Sequence, residues 1–252
     1  NVNLSHYDNM ITKLPETVAA NGTFGGNGVK SVVGHPMGAQ VGYVAEGIFR
    51  SQDDIDNHAE QTGAGLGRIM WKDLNGDGKI TEADQDWIYN PVPAISYGLN
   101  VYLEYFGFDL TLFFQGVQGV DIISDLKKET DLWSGLNISN LNKGTRLLDA
   151  WSPTNTDSDI PALSIADNNN EKRVSSYWVE DGSYLKLKNI QLGYNLPEKA
   201  LQKLHMERWR FFVSAQNVFT IHSRSFTGVD PENPNYGYPN ALNITVGTSL
   251  NF

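Results

Sequence analysis

Apolar and polar residues alternate along several segments of the chain with a period of two. This is the period of a β-strand, whose successive side chains point to opposite faces of the sheet. In segment 94–105, one face carries Ile95, Tyr97, Leu99, Val101, Leu103 and Tyr105, and the other carries Ser96, Gly98, Asn100 and Glu104. Segment 108–118 alternates in the same way, so the Phe106-Gly107 pair between them predicts a tight turn and a long hairpin.

Further strands are predicted closer to the C-terminus, at 183–194, 208–220 and 241–252. In the first of these the apolar register shifts, which predicts a β-bulge near Lys188-Asn189. Pro197 opens a short helix-like connector, PEKALQKL. Weaker patterns predict strands at about 1–7 and 36–49. The chain is therefore predicted to be all-β, with about seven antiparallel strands.

The predicted strands are joined by connections of very unequal length. Short links at 106–107 and 195–207 alternate with long ones at 50–93, 119–182 and 222–240. Compact soluble domains rarely carry such long loops, whereas outer-membrane barrels have short periplasmic turns and long extracellular loops. The longish link at 8–35, which would lie on the periplasmic side, does not fit this rule.

The same alternation suits a barrel with an apolar lipid face and a soluble β-sandwich with an apolar core. Periodicity does not separate the two, but the order of the loops and the terminal Phe252 favour a membrane barrel. The net charge of −10 and the lack of a basic stripe argue against nucleic-acid binding. The chain has no cysteine, which excludes disulfides and thiol catalysis.

One loop matches the calcium-binding pattern of an EF-hand. Segment 73–84 places oxygen-bearing side chains at positions 1, 3, 5 and 12, and glycine at position 6 for the sharp turn. The predicted ligands of a structural Ca²⁺ are Asp73, Asn75, Asp77, Asp84 and the Lys79 carbonyl. Asp84 replaces the usual glutamate, so its shorter side chain lowers the expected affinity. A solvated turn without metal is the alternative.

Catalytic constellations are absent from the sequence. The five histidines are scattered, and no nucleophile elbow, phosphate-binding loop or dinucleotide fingerprint occurs. The loops contain aromatic residues suited to stacking on sugar rings, although loop packing explains each of them as well; they are Trp87, Tyr89, Trp133, Trp151, Tyr177, Trp178, Tyr236 and Tyr238. We therefore predict that the protein is not an enzyme.

Several stretches together resemble the C-terminal region of SusC/RagA-type TonB-dependent transporters. They are GHPMGAQVGYVAEGIFRSQDDID at 34–56, KDLNGDGKITEADQDWIYNPVPAISYGLNVYLEYFGFDLTLFFQGVQG at 72–119, WSPTN at 151–155, VEDGSYLKLKNIQLGYNLP at 179–197, and FFVSAQNVFT at 211–220 followed by DPENP and the terminal Phe252. The similarity runs in order along nearly the whole of 1–252. Because the chain begins at Asn1 without a signal peptide, it is expected to be a fragment or a processed piece.

This resemblance implies the last strands of a 22-strand barrel in the bacterial outer membrane, in contact with its lipid. It implies a SusD-like surface lipoprotein as partner, and import of oligosaccharides or peptides driven by TonB. The plug domain and the TonB box would lie upstream. It also implies that Phe252 is the C-terminal signal for barrel assembly. The alternative function is a secreted, calcium-stabilised β-sandwich that binds glycans.

Overall fold

The computed structural model describes residues 1–16, 31–132, 143–234 and 238–252. Trp133 and Tyr236, two of the predicted loop aromatics, lie outside these residues. The described strands are β1 (Val2–His6), β2 (Gln40–Tyr43), β3 (Ala45–Ile48), β4 (Ile69–Trp71), β5 (Gln85–Tyr89), β6 (Ile95–Tyr105), β7 (Phe108–Gln118), β8 (Asp121–Ile123), β9 (Val179–Asp181), β10 (Tyr184–Asn195), β11 (Arg208–His222) and β12 (Asn243–Asn251).

The helices of the described part are short. They are α1 (Gln52–Asp56), α2 (Asp125–Asp131) and α3 (Glu198–Leu204), together with 3-10 turns at Glu82–Asp84, Thr145–Asp149 and Ser176–Trp178. The connector that begins at Pro197 forms α3, as predicted. No helix in the described ranges has the length and apolar character needed to cross a membrane.

Six strands form one antiparallel sheet in the order β1-β6-β7-β10-β11-β12. The tight turn between β6 and β7 is confirmed, since Phe106 and Gly107 both adopt positive φ, at 46° and 81°. Such a two-residue turn follows the right-handed twist of the strands it joins. The all-β, antiparallel prediction is therefore confirmed.

The predicted bulge in β10 is also confirmed. The register of β10 shifts between Leu187 and Asn189 against both neighbouring strands. Against β7 the extra residue is Lys188 of β10, whereas against β11 the extra residue lies on β11, where Asn217 (φ 56°) and Val218 oppose Lys188 alone. The extra residue bends the sheet at this level and increases its twist.

The weaker pattern at 36–49 does form strands, but they do not join the main sheet, so the prediction of a seventh strand in that sheet is wrong. In this segment, β2 pairs with β5 and β3 pairs with β4, in two separate two-stranded sheets. β1 pairs directly with β6, so one long connection, 7–94, joins them. The misfit at 8–35 therefore disappears. All three long connections (7–94, 119–183 and 223–242) leave the same end of the sheet, and both short links lie at the other end.

The hydrophobic core lies among the long connections, and the main sheet contributes little to it. Phe49, Ile69, Trp71 and Trp178 are at most 1% exposed, and all four belong to the connections. We call the packed segments of the three long connections the loop layer. Long loops predicted as irregular are thus folded units with their own β-pairing and core.

Candidate transport surface: the sheet faces and the loop layer

One face of the main sheet is apolar and open. Strand register places Leu103, Leu110, Leu192 and Val213 side by side across four strands. Val246 of β12 is 79% exposed and Leu103 is 56% exposed, and no second sheet of the described residues covers this face. A β-sandwich would bury these residues between two sheets. The predicted continuous apolar band is therefore present on one side of the sheet.

The opposite face of the sheet is polar and carries an ion pair near the short-link end. The Arg210 guanidinium donates to both carboxylate oxygens of Asp109, and the Nε contact measures 3.0 Å. Asn195 donates to Asp109 at 3.2 Å and accepts from Arg208. The pair is largely shielded, with Asp109 side-chain exposure at 6% and that of Arg210 at 16%. Neither residue was predicted as functional; the hint in the sequence was a charge at polar positions of two separate strands.

A second charged cluster holds the third long connection against the same polar face. Lys186 of β10 donates to Asp230 at 2.9 Å and to Glu232 at 2.6 Å. Lys188 lies 2.7 Å from Glu232, and the Tyr184 hydroxyl donates to Glu232 at 3.1 Å. Lys186 is buried, so this cluster, which we call the clasp, fixes residues 230–232 in place. Alternation marks both lysines as polar-face residues but does not identify their partners.

A buried hydrogen-bond network joins the first and second long connections. The Glu171 carboxylate pairs with Arg68 at 3.0 Å and accepts from the Ile69 backbone N–H. Gln61 donates to Asn169 at 2.7 Å and accepts from the Trp71 backbone N–H. Burial raises the pKa of Glu171, and the nearby Arg68 charge opposes this effect. The two connections therefore pack as one body.

The predicted calcium loop is closed by its own hydrogen bonds. Asp73 accepts from the backbone N–H groups of Gly76 and Gly78, both at 2.8 Å, and these residues lie on one exposed turn. Asn75 accepts from the Asp77 N–H, and Asp77 accepts from the Lys79 N–H. Carboxylate, amide and carbonyl oxygens on one turn suit a hard cation such as Ca²⁺.

Asp84 is placed differently from the other predicted ligands. It is fully buried, and its carboxylate accepts from the backbone N–H groups of Leu74, Asn75 and Thr81. It also closes a capping box with Thr81. Within the described residues, no three acidic, histidine or cysteine side chains come together in a way that would hold a metal. Phe252, the predicted assembly signal, follows β12 and is 80% exposed.

Comparison with known proteins identifies relatives of this chain. No protein-family model matches it. TonB-dependent receptor P3 of Formosa agariphila is 35% identical over 236 residues, which cover 87% of this chain and 22% of that receptor. TonB-dependent receptor SusC of Bacteroides thetaiotaomicron is 26% identical over 221 residues, which cover 84% of this chain and 20% of SusC. The chain thus spans less than a quarter of the length of these relatives.

Solved structures give the same fold. A structure of the RagAB peptide importer in the open-open state superposes with a TM-score of 0.73 at 21% identity, and covers all of this chain and 26% of the other. Another RagAB peptide transporter structure gives a TM-score of 0.70 at 24% identity.

The sheet and the loop layer have the fold of part of the solved RagAB structures, and one face of the sheet is apolar and open. The chain is homologous to TonB-dependent receptors of the SusC/RagA type, which confirms the resemblance predicted from its sequence. These relatives are named as receptors, and none of the names is that of an enzyme. The 22-strand barrel itself remains a prediction.

Proposed function

We propose that the chain is part of an outer-membrane importer, with the apolar face of its sheet against lipid and the polar face lining the transport path. The observation that carries this proposal is the open apolar face that runs across all six strands. A barrel in lipid has this outward apolar band and a polar interior. The common end of the three long connections supports the same orientation, with the loop layer outside the cell.

The receptor relatives support TonB as the energy source and a SusD-like lipoprotein as the partner over the loop layer. The proposed cargo is an oligosaccharide or a peptide. The acidic balance of the chain, −10, argues against a polyanionic cargo, because like charges repel near a low-dielectric wall. We also propose that the turn at Asp73–Lys79 binds a structural Ca²⁺. Asp84 either holds the backbone of this turn through its hydrogen bonds or is itself a ligand of the ion.

The lipid-facing assignment is tested by two neighbouring substitutions on β12 in the full-length transporter. Val246→Arg places a cation on the apolar face and is expected to cost about 2–4 kcal/mol of barrel stability in lipid. Thr245→Arg places the same charge on the polar face and is the matched control. Barrel folding is read from heat-modifiable gel mobility in isolated outer membranes. Equal tolerance of the two substitutions would show that Val246 faces water and would reject the proposal.

Partner and cargo are tested by co-purification of the surface lipoprotein and by growth on defined oligosaccharides and peptides. Deleting the whole of 119–183 would expose Trp71 and Ile69, because Glu171 and Asn169 pack against the first connection. A substitution at the surface of the loop layer, such as Leu148→Glu, is therefore better suited, since Leu148 is 90% exposed. Lost co-purification with an intact barrel supports the partner. Normal co-purification and growth after a series of such exposed substitutions would contradict it.

A further inference from the structure

The loop layer contains a cleft of about 510 Å³ to which all three long connections contribute. The first connection supplies Gln40 and Tyr89, and the third supplies Pro234. The second supplies the remaining lining residues: Asp121, Ile122, Ile123, Asp125, Lys128, Lys172 and Val174. Ligand sites of roughly 300–1,000 Å³ hold small molecules, so a di- or tripeptide or a short oligosaccharide has a suitable size.

Four charged side chains line this cleft, two of each sign. Two of them form an ion pair with each other. Lys128 Nζ lies 3.6 Å from Asp125 Oδ1, one turn apart on α2. Asp121 Oδ2 accepts from the Asn90 backbone N–H at 2.8 Å, whereas Oδ1 has no hydrogen-bond partner among the described residues. The Lys172 ammonium likewise has no carboxylate within 4 Å in the described part of the chain. One carboxylate oxygen and one ammonium are thus available to a ligand.

The position of Asp121 strengthens its interaction with a cation. Asp121 is half-buried, and Asp181 lies directly opposite on β9. Burial raises the pKa of Asp121, and the like charge of Asp181 raises it further. Burial and the charge of Asp181 both disfavour the ionised form of Asp121. A bound ammonium offsets both effects, because an opposite charge favours the ionised carboxylate. A neutral hydroxyl offers less compensation.

We propose that this cleft binds a short peptide through its free ends, with the ammonium on Asp121 and the carboxylate on Lys172. The lining is neutral overall, so a zwitterion satisfies both signs, whereas a ligand of one sign leaves a charge unmatched. The lining is mainly polar, and Ile123 and Val174 add a smaller apolar part that suits the short side chains of a small peptide. Tyr89 is the aromatic member of the lining, so the cleft lacks an extended platform for sugar rings. This site rests on the proposed importer function.

The test is calorimetry on the full-length transporter purified in detergent, with trialanine as the probe. Asp121→Asn and Lys172→Met are each expected to weaken trialanine binding by about tenfold, since each removes a charge-assisted hydrogen bond. Asp157→Asn and Lys199→Met are the matched controls, because both residues are exposed and lie outside the cleft. Trialanine capped as the N-acetyl amide should bind at least about tenfold more weakly than the free form. Unchanged thermal unfolding of the variants confirms that they fold.

Three results would overturn the proposal: no binding of free trialanine at millimolar concentration, equal binding of free and capped peptide, or binding of maltotriose with the same sensitivity to the two variants. The binding measurement needs neither TonB nor lipid. If import fails while trialanine binding persists, the importer function is wrong and the cleft assignment stands. If cells import their cargo while the purified protein shows no binding, the cleft assignment alone is wrong.

Discussion

Arg210 reaches Asp109 across an intervening strand, directly over Gly193. Asp109 lies on β7 and Arg210 on β11, while Gly193 of β10 pairs with Asp109 on one side and with Phe212 on the other. A Cβ built on Gly193 would lie 2.5 Å from both carboxylate oxygens of Asp109. The glycine is therefore present for space, because its φ is not in the left-handed region. The Asp109–Arg210 ion pair on the polar face therefore depends on the absence of a side chain at Gly193.

We predict that Gly193→Ala breaks this ion pair in the full-length protein. The added methyl group overlaps the Asp109 carboxylate and separates the two charges. Breaking a shielded ion pair lowers the free energy of unfolding by about 3 kcal/mol. The measurement is the urea midpoint of unfolding in detergent. Gly247→Ala is not a suitable control, since a Cβ there meets Phe212, so Ser214→Ala on the same face of β11 serves instead. Equal midpoints for Gly193→Ala and Ser214→Ala would contradict the prediction.

The clasp gives a second prediction, which concerns the third long connection. Lys186→Met keeps the bulk of the side chain but leaves the buried Asp230 carboxylate without a cation, whereas Glu232 keeps its contact with Lys188. Local opening of residues 223–234 should become easier by about 3 kcal/mol, because a buried pair that loses one partner leaves an uncompensated charge. Hydrogen exchange of this segment, followed by mass spectrometry, measures the change.

Lys188→Met is the matched control for the clasp. Lys188 is 24% exposed and contacts Glu232, which keeps its bond to Lys186 when Lys188 is lost. Its effect on exchange should be no more than about 1 kcal/mol, as for partly solvated pairs. If the two variants exchange at the same rate, Lys186 does not hold the connection in place.

Much of the main sheet is predictable from alternation, since a strand with one apolar and one polar face keeps a period of two. The β6–β7 hairpin, the bulge at Lys188 and the helix after Pro197 all follow from local signals. The prediction that segment 36–49 joins the main sheet is wrong because alternation indicates a half-buried strand but does not indicate which strand it pairs with. Here the partners, β5 and β4, lie within the same long connection.

The contacts on the polar face are not predictable from the sequence, for a related reason. Asp109 and Arg210 are 101 residues apart, and Lys186 and Asp230 are 44 apart. Each is a common charged residue at a polar position, so only the order and register of the strands bring them together. The packing of the loop layer depends on such distant pairs too, Gln61 with Asn169 among them. Periodicity carries no information on these pairs.

The calcium proposal leads to a third prediction. Asp77→Ala in the full-length protein should abolish Ca²⁺ binding measured by calorimetry, because it removes one carboxylate from a turn that has few anionic ligands. Glu82→Gln, an exposed acidic residue nearby, is the control and should bind Ca²⁺ as the parent does. Identical calcium titrations of the parent and Asp77→Ala would remove the proposed metal site.

The last prediction concerns the acid stability of the same loop, measured in EDTA so that metal plays no part. Burial raises the pKa of Asp84, but hydrogen bonds from Thr81, Asn75 and Leu74 outweigh it, and the net pKa is below the ordinary 3.8. A carboxyl with a depressed folded-state pKa stabilises the fold above its unfolded value, and this contribution is lost as pH falls through the folded value. The protection factors of the Leu74 and Thr81 amides, corrected for intrinsic exchange, should therefore stay constant from about pH 6 to about pH 4 and fall below that.

The control is Asp84→Asn, whose side chain cannot ionise, so its lower protection should not change over the same range. If the parent and Asp84→Asn lose protection in parallel on acidification, a different carboxyl controls the loop.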